Sequence, residues 1–590
     1  EEKGLGSLKI IIGIYKYIGS HNKRLFFPLA LFIILNLSVS LLAPLTFREL
    51  IDQGLGTGSS NGNLNVIFTM GVLFFILTIA GVMTRIAQSY IIQKLATLTM
   101  YNLRYELFVK FQNLGLDYHE SPDKTAGKKI SFVTNDVNTI QELISSGLLI
   151  VFGNLFTVLG SFGLMIFLSP QLSLASFLIF PIVAIVFLSI FSKARVYFKQ
   201  LRERVSDVTS ELDESIMGMR IIQAFAVEEE NYRDFRRATM REKKMFIKAG
   251  KLFALTPGAF TFIMTFGLGT IFFTAGILIR EGNLTEGTLV AFIFYVFQFL
   301  DPLIGLVNFF TVLQNSLAAG ARILNLLNET PSIQDKKDAI NLNRVEGEII
   351  YENVNFSYEK DQPVLNNINV QIKRKERLAL VGYTGAGKST FIKILSRFYD
   401  PLRGDVYVDG KNLKDIKIDS LRRKMGIVLQ ENFLFSDTVK ENIRFGKLDA
   451  TDEEIIAVAK KVKAHKIIKE LKDGYDTMVG ERGSKLSEGA FARALISDPP
   501  ILILDEATSS IDPYSELLIQ EALETLLDGR TSVSIAHRLS TIINSDRILV
   551  MDEGRIIEEG SHQDLIEKGG FYKHLFDMQF KDPYEKKEIF

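Results

Sequence analysis

The chain divides into a first half of long apolar runs and a second half of short apolar segments between polar ones. Five stretches of the first half are almost free of charge: 25–47, 53–84, 143–192, 252–279 and 289–319, the last interrupted only by Asp301. About 20 apolar residues are enough for a helix to cross a bilayer. The stretch 143–192 is long enough for two spans joined at Ser169–Gln171. The pattern therefore predicts six membrane-spanning helices.

Charge assigns the loops to the two sides of the membrane. Fourteen Lys and Arg residues fall within 193–251 and six within 94–129, whereas the turns at 54–63 and 169–171 have none. Because cytosolic loops carry the positive charge, we expect both termini and the long connections on the cytosolic side of a cell membrane. Helical periodicity in these connections predicts that the spanning helices continue into the cytosol. The Lys- and Ile-rich start, 9–24, predicts an amphipathic helix on the inner membrane surface.

The second half has the pattern of a soluble α/β domain. Residues 328–346 are polar and predict a linker between a membrane domain at 1–327 and a domain at 347–590. Apolar runs such as 501–504 and 531–535 are typical of buried parallel strands. The predicted fold is an all-α membrane domain of six helices followed by an α/β P-loop NTPase domain.

A glycine-rich loop follows the apolar run 378–381. Residues 382–390 match G-x-x-x-x-G-K-[ST] in the strand–loop–helix context that this pattern requires. The backbone N–H groups of such a loop and the N-terminus of the helix bind phosphate. We expect Lys388 at the terminal phosphates and Ser389 on Mg²⁺. The nucleotide-binding residues predicted here are Gly382, Thr384, Gly385, Ala386, Gly387, Lys388, Ser389 and Thr390.

An acidic pair ends the strand predicted at 501–504. Asp505 is placed to hold Mg²⁺, directly or through water. Glu506 beside it is placed to polarise a water molecule for attack on the γ-phosphate. Together with the glycine-rich loop, the pair predicts ATP hydrolysis.

In this context the domain resembles the ATPase cassette of ATP-binding-cassette (ABC) transporters, over nearly its whole length. Tyr358 matches the aromatic residue that stacks on adenine, and Gln430 the glutamine that contacts Mg²⁺ and water. Leu486–Gly489 is similar to the signature, in which Ser487 and Gly489 would bind the γ-phosphate held by the opposite subunit. Asp512 matches the loop that crosses between subunits, and His537 matches the histidine that senses the γ-phosphate. The resemblance thus implies Glu506, His537 and Gln430 as catalytic residues and Ser389, Gln430 and Asp505 as Mg²⁺ ligands.

The order of the two halves is that of an exporter half-transporter, two of which sandwich two ATP molecules. The resemblance also implies short coupling helices near Leu114–Ser121 and Gly218–Phe225. Glu488 stands where the signature usually has Gly, while Glu506 and His537 are intact. That combination favours a heterodimer with a second half-transporter over a homodimer.

After Gly489 the chain is about five residues shorter than the family pattern. Removing five residues would rotate the rest of a helix by roughly 140°. We therefore expect that a segment of the natural protein is absent from this sequence, and that the helix would otherwise misplace its buried face.

The composition excludes several classes of function but does not identify the transported substrate. The chain has no Cys, so disulfides and thiolate sites are excluded, and its formal net charge of zero does not indicate nucleic-acid binding. Asp301 in the sixth span faces either a cavity or the outer water interface. We predict ATP-driven export of a small amphipathic or lipophilic substrate by alternating access. The alternatives are a lipid flippase or peptide exporter of this architecture, or an ATP-gated channel or regulatory membrane ATPase.

Overall fold

The computed structural model describes residues 7–56, 62–146, 148–177, 179–359, 362–428, 433–479, 487–505, 524, 527–536 and 539–580. They form two compact units. The membrane unit comprises Glu1–Lys110 and Gly127–Asn328, and the cassette unit comprises Phe111–Ala126 and Glu329–Phe590.

The membrane unit is helical throughout the part of the chain that the structure describes. Its helices are α1 (Ser7–Glu49), α2 (Leu64–Asn113, which extends into the other unit), α4 (Ala126–Ser131), α5 (Val137–Ser146), α6 (Leu148–Leu168), α7 (Pro170–Phe177), α8 (Ile179–Met217), α9 (Met219–Ala224), α10 (Glu228–Arg280) and α11 (Glu286–Asn328). Those with 21 or more residues are six in number in the described part of the chain, and each overlaps one of the predicted spans. Two described segments, 22–56 and 64–113, are long and apolar enough to cross a membrane, and Gly153–Leu168 and Met264–Arg280 are shorter apolar helices.

The N-terminal helix has two parts. Non-helical backbone angles at Asn22 divide α1 into a leading segment and the first predicted span. Ile10, Ile14 and Ile18 of the leading segment are buried. Ile14 lies against Gly320 of α11, where a Cβ atom would come within 2.7 Å of its Cδ1. Part of the apolar face therefore packs against α11, and the position of this helix on the membrane surface stays a prediction.

The cassette unit contains two sheets. The strands are β1 (Ile349–Phe356), β2 (Leu365–Ile372), β3 (Arg377–Val381), β4 (Arg403–Val408), β5 (Lys411–Asn412), β6 (Met425–Val428), β7 (Ile501–Asp505), β8 (Thr531–Ile535), β9 (Arg547–Asp552) and β10 (Arg555–Gly560). One sheet has the order β2-β1-β4-β5 and is antiparallel, whereas the other has the order β10-β9-β3-β8-β7-β6 and is parallel from β9 to β6.

Helices pack against the parallel sheet, as its apolar strands require. The helices of the cassette unit are α3 (Leu116–Glu120), α12 (Lys388–Leu395), α13 (Ile418–Arg422), α14 (Val439–Arg444), α15 (Asp452–Lys461), α16 (Ala464–Glu470), α17 (Ser487–Leu495), α18 (Leu539–Ile543), α19 (His562–Lys568) and α20 (Phe571–Phe580). Among those that pack against the sheet are α12 and α17. The Tyr351 ring stacks on Phe391 of α12 at 4.1 Å, and its hydroxyl donates to the Phe391 carbonyl at 2.9 Å. These contacts hold α12 between the two sheets.

Helix α17 does not misplace its buried face. Phe491, Ala492 and Leu495 lie in the hydrophobic core beside β6 and β7. The short helix therefore finds a buried face with the residues present. Helix α17 does not require an absent segment in order to bury this face.

The predicted linker is tied to the cassette by Arg397. This guanidinium is 2% exposed and donates to the carbonyl oxygens of Ile416 at 2.6 Å and Gln334 at 3.3 Å. It also lies 3.6 Å from Asp335 and 3.3 Å from Asp400. The linker thus contributes an acceptor and a charge to a buried cation.

We expect Arg397→Leu to lower the unfolding temperature of the cassette by about 4–8 °C. The reason is that the buried Ile416 carbonyl and the partly buried Gln334 carbonyl lose their donor, which costs about 2 kcal/mol in a domain of this size. Differential scanning fluorimetry of the purified protein measures the shift. The control is Arg423→Leu, because the Arg423–Asp419 pair is 77% and 79% exposed and should contribute little. Equal shifts for both variants would contradict the role of Arg397.

Candidate nucleotide-binding site

The glycine-rich loop connects β3 to α12, as its spacing predicts. Gly382 and Gly387 have φ values of +154° and +98°. A Cβ at Gly382 would lie 2.1 Å from the carbonyl oxygen of Met551, and one at Gly387 would lie 2.8 Å from that of Val364. Only glycine satisfies both the backbone angle at Gly387 and the close approach of these carbonyls. The loop therefore keeps its N–H groups beside the start of α12.

Lys388 folds back over this loop. Its Nζ donates to the carbonyl oxygens of Gly382 at 2.7 Å and Tyr383 at 2.9 Å. The side chain is only 7% exposed, whereas Ser389 and Thr384 are exposed and Ala386 is buried. A cation held among carbonyls at a helix N-terminus provides a strong local positive potential. The arrangement is suited to an anionic ligand.

Tyr358 stands beside the same helix. Its hydroxyl lies 3.0 Å from the Thr390 Oγ1. Its ring makes edge contacts with Phe356 at 5.0 Å and Tyr399 at 5.2 Å, and Lys393 Nζ lies 5.8 Å from the ring centroid. The side chain remains 47% exposed. These ring contacts fix the orientation of the Tyr358 ring, and its exposed surface remains available to stack on a planar base.

The parallel strands bring Asp505 to the same edge of the sheet as the glycine-rich loop. Leu380 of β3 pairs with Ile535 of β8, and Ile535 pairs with Asp505 at the end of β7. Val428 of β6 pairs with Leu504. Since neighbouring strands are about 4.8 Å apart, the half-buried Asp505 lies roughly 10 Å across the sheet from β3.

Several predicted residues fall outside the part of the chain that the structure describes. They are Gln430, Glu506, Asp512 and His537. The chain reaches three of them directly from described strand ends, since Glu506 follows β7 and Gln430 and His537 follow β6 and β8 by two residues. Ser487 and Gly489 belong to helix α17, of which the structure describes the backbone at these positions. These six residues remain predictions.

The first predicted coupling segment packs within the cassette unit. Both Glu120 carboxylate oxygens accept hydrogen bonds from Lys393 Nζ at 2.8 Å. Tyr399 donates its hydroxyl to the same carboxylate at 3.0 Å. Burial, reinforced by the hydrogen bond to Glu120, raises the pKa of Tyr399 and keeps it a donor. Glu120 thus contacts two residues that surround the Tyr358 ring.

The contacts of Glu120, Lys393, Arg493 and Asn442 are not predictable from the sequence patterns. Arg493 of α17 donates to the Phe433 carbonyl at 2.9 Å, just after the predicted Gln430 segment. Asn442 is buried and exchanges hydrogen bonds with the backbone of Phe435 at 2.8 and 3.0 Å. The sequence marks these residues only as polar side chains among neighbours that are buried. Their contacts become apparent only when the positions of the helices are known.

Comparison with known proteins matches both parts of the chain. Residues 26–303 match the model of the ABC transporter transmembrane region, and residues 365–509 match the ABC transporter model of the ATPase region. The uncharacterized ABC transporter ATP-binding protein YknV of Bacillus subtilis is 37% identical over 97% of this chain and 95% of its own length. The ATP-dependent lipid A-core flippase of Syntrophus aciditrophicus is 36% identical over 83% of this chain and 82% of its own length.

A solved structure also matches this chain over nearly its full length. A bacterial Atm1-family ABC exporter with ATP bound superposes with a TM-score of 0.77, at 26% identity, covering 96% of this chain and 99% of that one. The fold prediction of a helical membrane domain followed by an ABC-type ATPase domain is confirmed. The chain belongs to the ABC transporter family, as an exporter half-transporter that carries its membrane region and its ATPase region in one polypeptide.

Proposed function

We propose that this ABC exporter uses its glycine-rich loop and the acids Asp505 and Glu506 to move an amphipathic substrate out of the cytosol or the inner leaflet. ATP binding, ATPase-linked export, dimer formation and location in a membrane follow from the family. The observation that supports this assignment of residues is the loop Gly382–Lys388 at the sheet edge where Asp505 ends β7. In this proposal the termini and cassette are cytosolic.

The chain's residues fit a magnesium nucleotide. Ser389 presents an exposed hydroxyl in the first turn of α12, and Asp505 presents a half-buried carboxylate. Mg²⁺ prefers such oxygen ligands together with phosphates and water. Ser389, Asp505 and Gln430 would hold the ion, which supplies charge neutralisation on the phosphates. Tyr358 orients the base, Lys388 binds the terminal phosphates, Glu506 accepts a proton from the attacking water and His537 contacts the γ-phosphate.

ATP-dependent accumulation in inside-out vesicles tests export directly. Vesicles that contain the assembled transporter should accumulate a fluorescent amphipathic dye with ATP and not with a non-hydrolysable analogue. An ATP-gated channel would only dissipate a preformed gradient. Channel behaviour with no uphill accumulation of any substrate would reject the export assignment.

We propose a heterodimer as the working assembly. Glu488 adds a carboxylate to a signature that would bind phosphate, while this chain carries the complete set of catalytic residues for its own loop. A partner half-transporter with an ordinary signature would complete that site. Co-purification with a second half-transporter supports this assembly. A fully active dimer of this chain alone would favour the homodimer.

Glu120→Gln is expected to reduce substrate stimulation of ATP hydrolysis about two- to fivefold. The change removes the charge that Lys393 binds, and a partly exposed ion pair contributes about 0.5–1 kcal/mol. Basal hydrolysis and the KM for ATP should stay within about twofold of the original protein, since Glu120 contacts no predicted phosphate ligand. Steady-state assays with and without substrate measure both. Asp419→Asn is the matched control, because its ion pair with Arg423 is highly exposed; an equal loss there would reject a specific role for Glu120.

A further inference from the structure

The membrane unit contains a cavity whose walls are strongly polar. It has a volume of about 600 Å³ and lies among α1, α2, α6 and α11. The side chains that define its chemistry are Arg85, Gln88, Gln93, Asn154, Gln298 and Asp301. Hydropathy along the chain does not reveal this set, because these residues are distributed over three helices. The cavity carries both signs of charge.

Around Arg85, the side chains of α2 form a polar face that lines the cavity and an apolar face that does not. Arg85, Gln88 and Gln93 line the cavity. The exposed side chains of the same stretch that do not line it are apolar or aromatic, namely Val82, Met83, Ile86 and Tyr90. Charged and amide groups at membrane depth face water-filled spaces or partners. The polar face of α2 therefore belongs to a binding cavity.

The cavity residues retain unused binding capacity. Among the residues that the structure describes, neither Arg85 nor Asp301 forms an ion pair. The Gln298 Nε2 donates to the Ser40 carbonyl at 2.8 Å, whereas its buried Oε1 has no partner among those residues. A cation, an anion and unpaired amide atoms are thus available to one ligand. Such groups are costly to leave unpaired in a membrane domain.

The depth of the cavity in the membrane and its volume and lining indicate which part of an amphiphile it can bind. Asp301 lies 15 residues after the start of α11, or about 22 Å along the helix at 1.5 Å per residue. With the proposed topology, this depth is in the cytosolic half of the bilayer. The volume of about 600 Å³ is large enough for a charged head group. The charged and amide side chains of the walls favour such a group over an alkyl chain, because an alkyl chain would leave them without hydrogen-bond partners.

We propose that this cavity binds the zwitterionic head group of an amphiphile. The anionic group of the ligand pairs with Arg85 and its cationic group pairs with Asp301, while the amide side chains donate and accept the remaining hydrogen bonds. The alkyl part stays outside the cavity. This inference rests on the proposed export function and specifies the substrate class of the same transporter.

Three probes with one tail and different head groups test the proposal. They are dodecylphosphocholine, dodecyltrimethylammonium and dodecyl phosphate, each added below its micellar concentration to the assembled transporter in nanodiscs. Stimulation of ATP hydrolysis should require the least of the zwitterion. Arg85→Gln should raise the half-maximal concentration of the zwitterion about tenfold and remove its advantage over the cation. Asp301→Asn should remove its advantage over the anion.

Three further variants serve as controls. Arg85→Lys keeps the charge and should retain the preference for the zwitterion. This result would exclude a folding defect as the cause of the changed preference in Arg85→Gln. Phe266→Ala changes an exposed residue of an apolar cleft on α10 and should leave the order of the probes unchanged. Glu506→Gln should abolish the stimulation by every probe.

The outcomes separate this inference from the export function. Preference for the cation in the original protein, or the same order of probes in Arg85→Gln and Asp301→Asn as in the original, would overturn the zwitterion site. In vesicles, ATP-dependent accumulation of a lipophilic dye with no response to the zwitterion would overturn it and leave export intact. Absence of ATP-dependent accumulation of any compound would instead overturn the export function.

Discussion

Glu506→Gln is expected to lower ATP hydrolysis by the assembled transporter at least about 100-fold while ATP still binds. A general base contributes about 10²- to 10⁴-fold to such a step, and an amide cannot accept the proton. Binding should persist because the phosphate contacts come from the loop Gly382–Lys388 and not from Glu506. Phosphate release and filter binding of radiolabelled ATP measure the two properties separately.

The control for Glu506 is Glu567→Gln, which makes the same chemical change on the exposed surface of α19. It should leave both hydrolysis and binding unchanged. Turnover undiminished in Glu506→Gln would remove Glu506 as the base. Loss of ATP binding together with hydrolysis would instead indicate a structural role for this side chain.

Lys388→Ala is expected to weaken ATP binding more than tenfold and to abolish measurable hydrolysis. Its Nζ is already held 2.7 Å from the Gly382 carbonyl, so the cation is preorganised at the loop. Charge-assisted contacts to phosphate are among the strongest hydrogen bonds in proteins. The variant loses this cation and leaves two loop carbonyls without their donor. Fluorescent nucleotide titration measures the change in affinity.

Lys411→Ala removes a positive charge from β5 and controls for the general electrostatic effect. We expect it to leave nucleotide affinity within about twofold. Lys388→Arg would keep the charge but not the compact geometry beneath the loop, so it should recover only part of the affinity. Unchanged ATP binding in Lys388→Ala would contradict the proposed contact with the phosphates.

The phosphate loop was predictable because its requirements are local. Glycines at 382 and 387, a preceding apolar strand and a following helix determine the turn within a dozen residues. The same locality explains the long helices, because each spanning segment must satisfy its own backbone hydrogen bonds in lipid. Asp505 followed from the apolar strand that it ends.

The N-terminal helix shows how much a periodic pattern determines. The Ile periodicity predicted an amphipathic helix, and Ile10, Ile14 and Ile18 do share one buried face. Periodicity defines a face but does not identify what covers it. Packing of Ile14 against Gly320 of α11 is decided by the tertiary structure.

By itself, the sequence determined the two-part architecture, the P-loop nucleotide site and the family, because these depend on runs and spacings within short stretches. Tertiary structure alone decided that Glu120 meets Lys393, 273 residues away, and that Arg85 and Asp301 line one polar cavity. Such pairings arise from the packing of distant helices and strands. Hydropathy averages over all faces of a helix, whereas substrate recognition depends on the one face that packing turns toward the cavity.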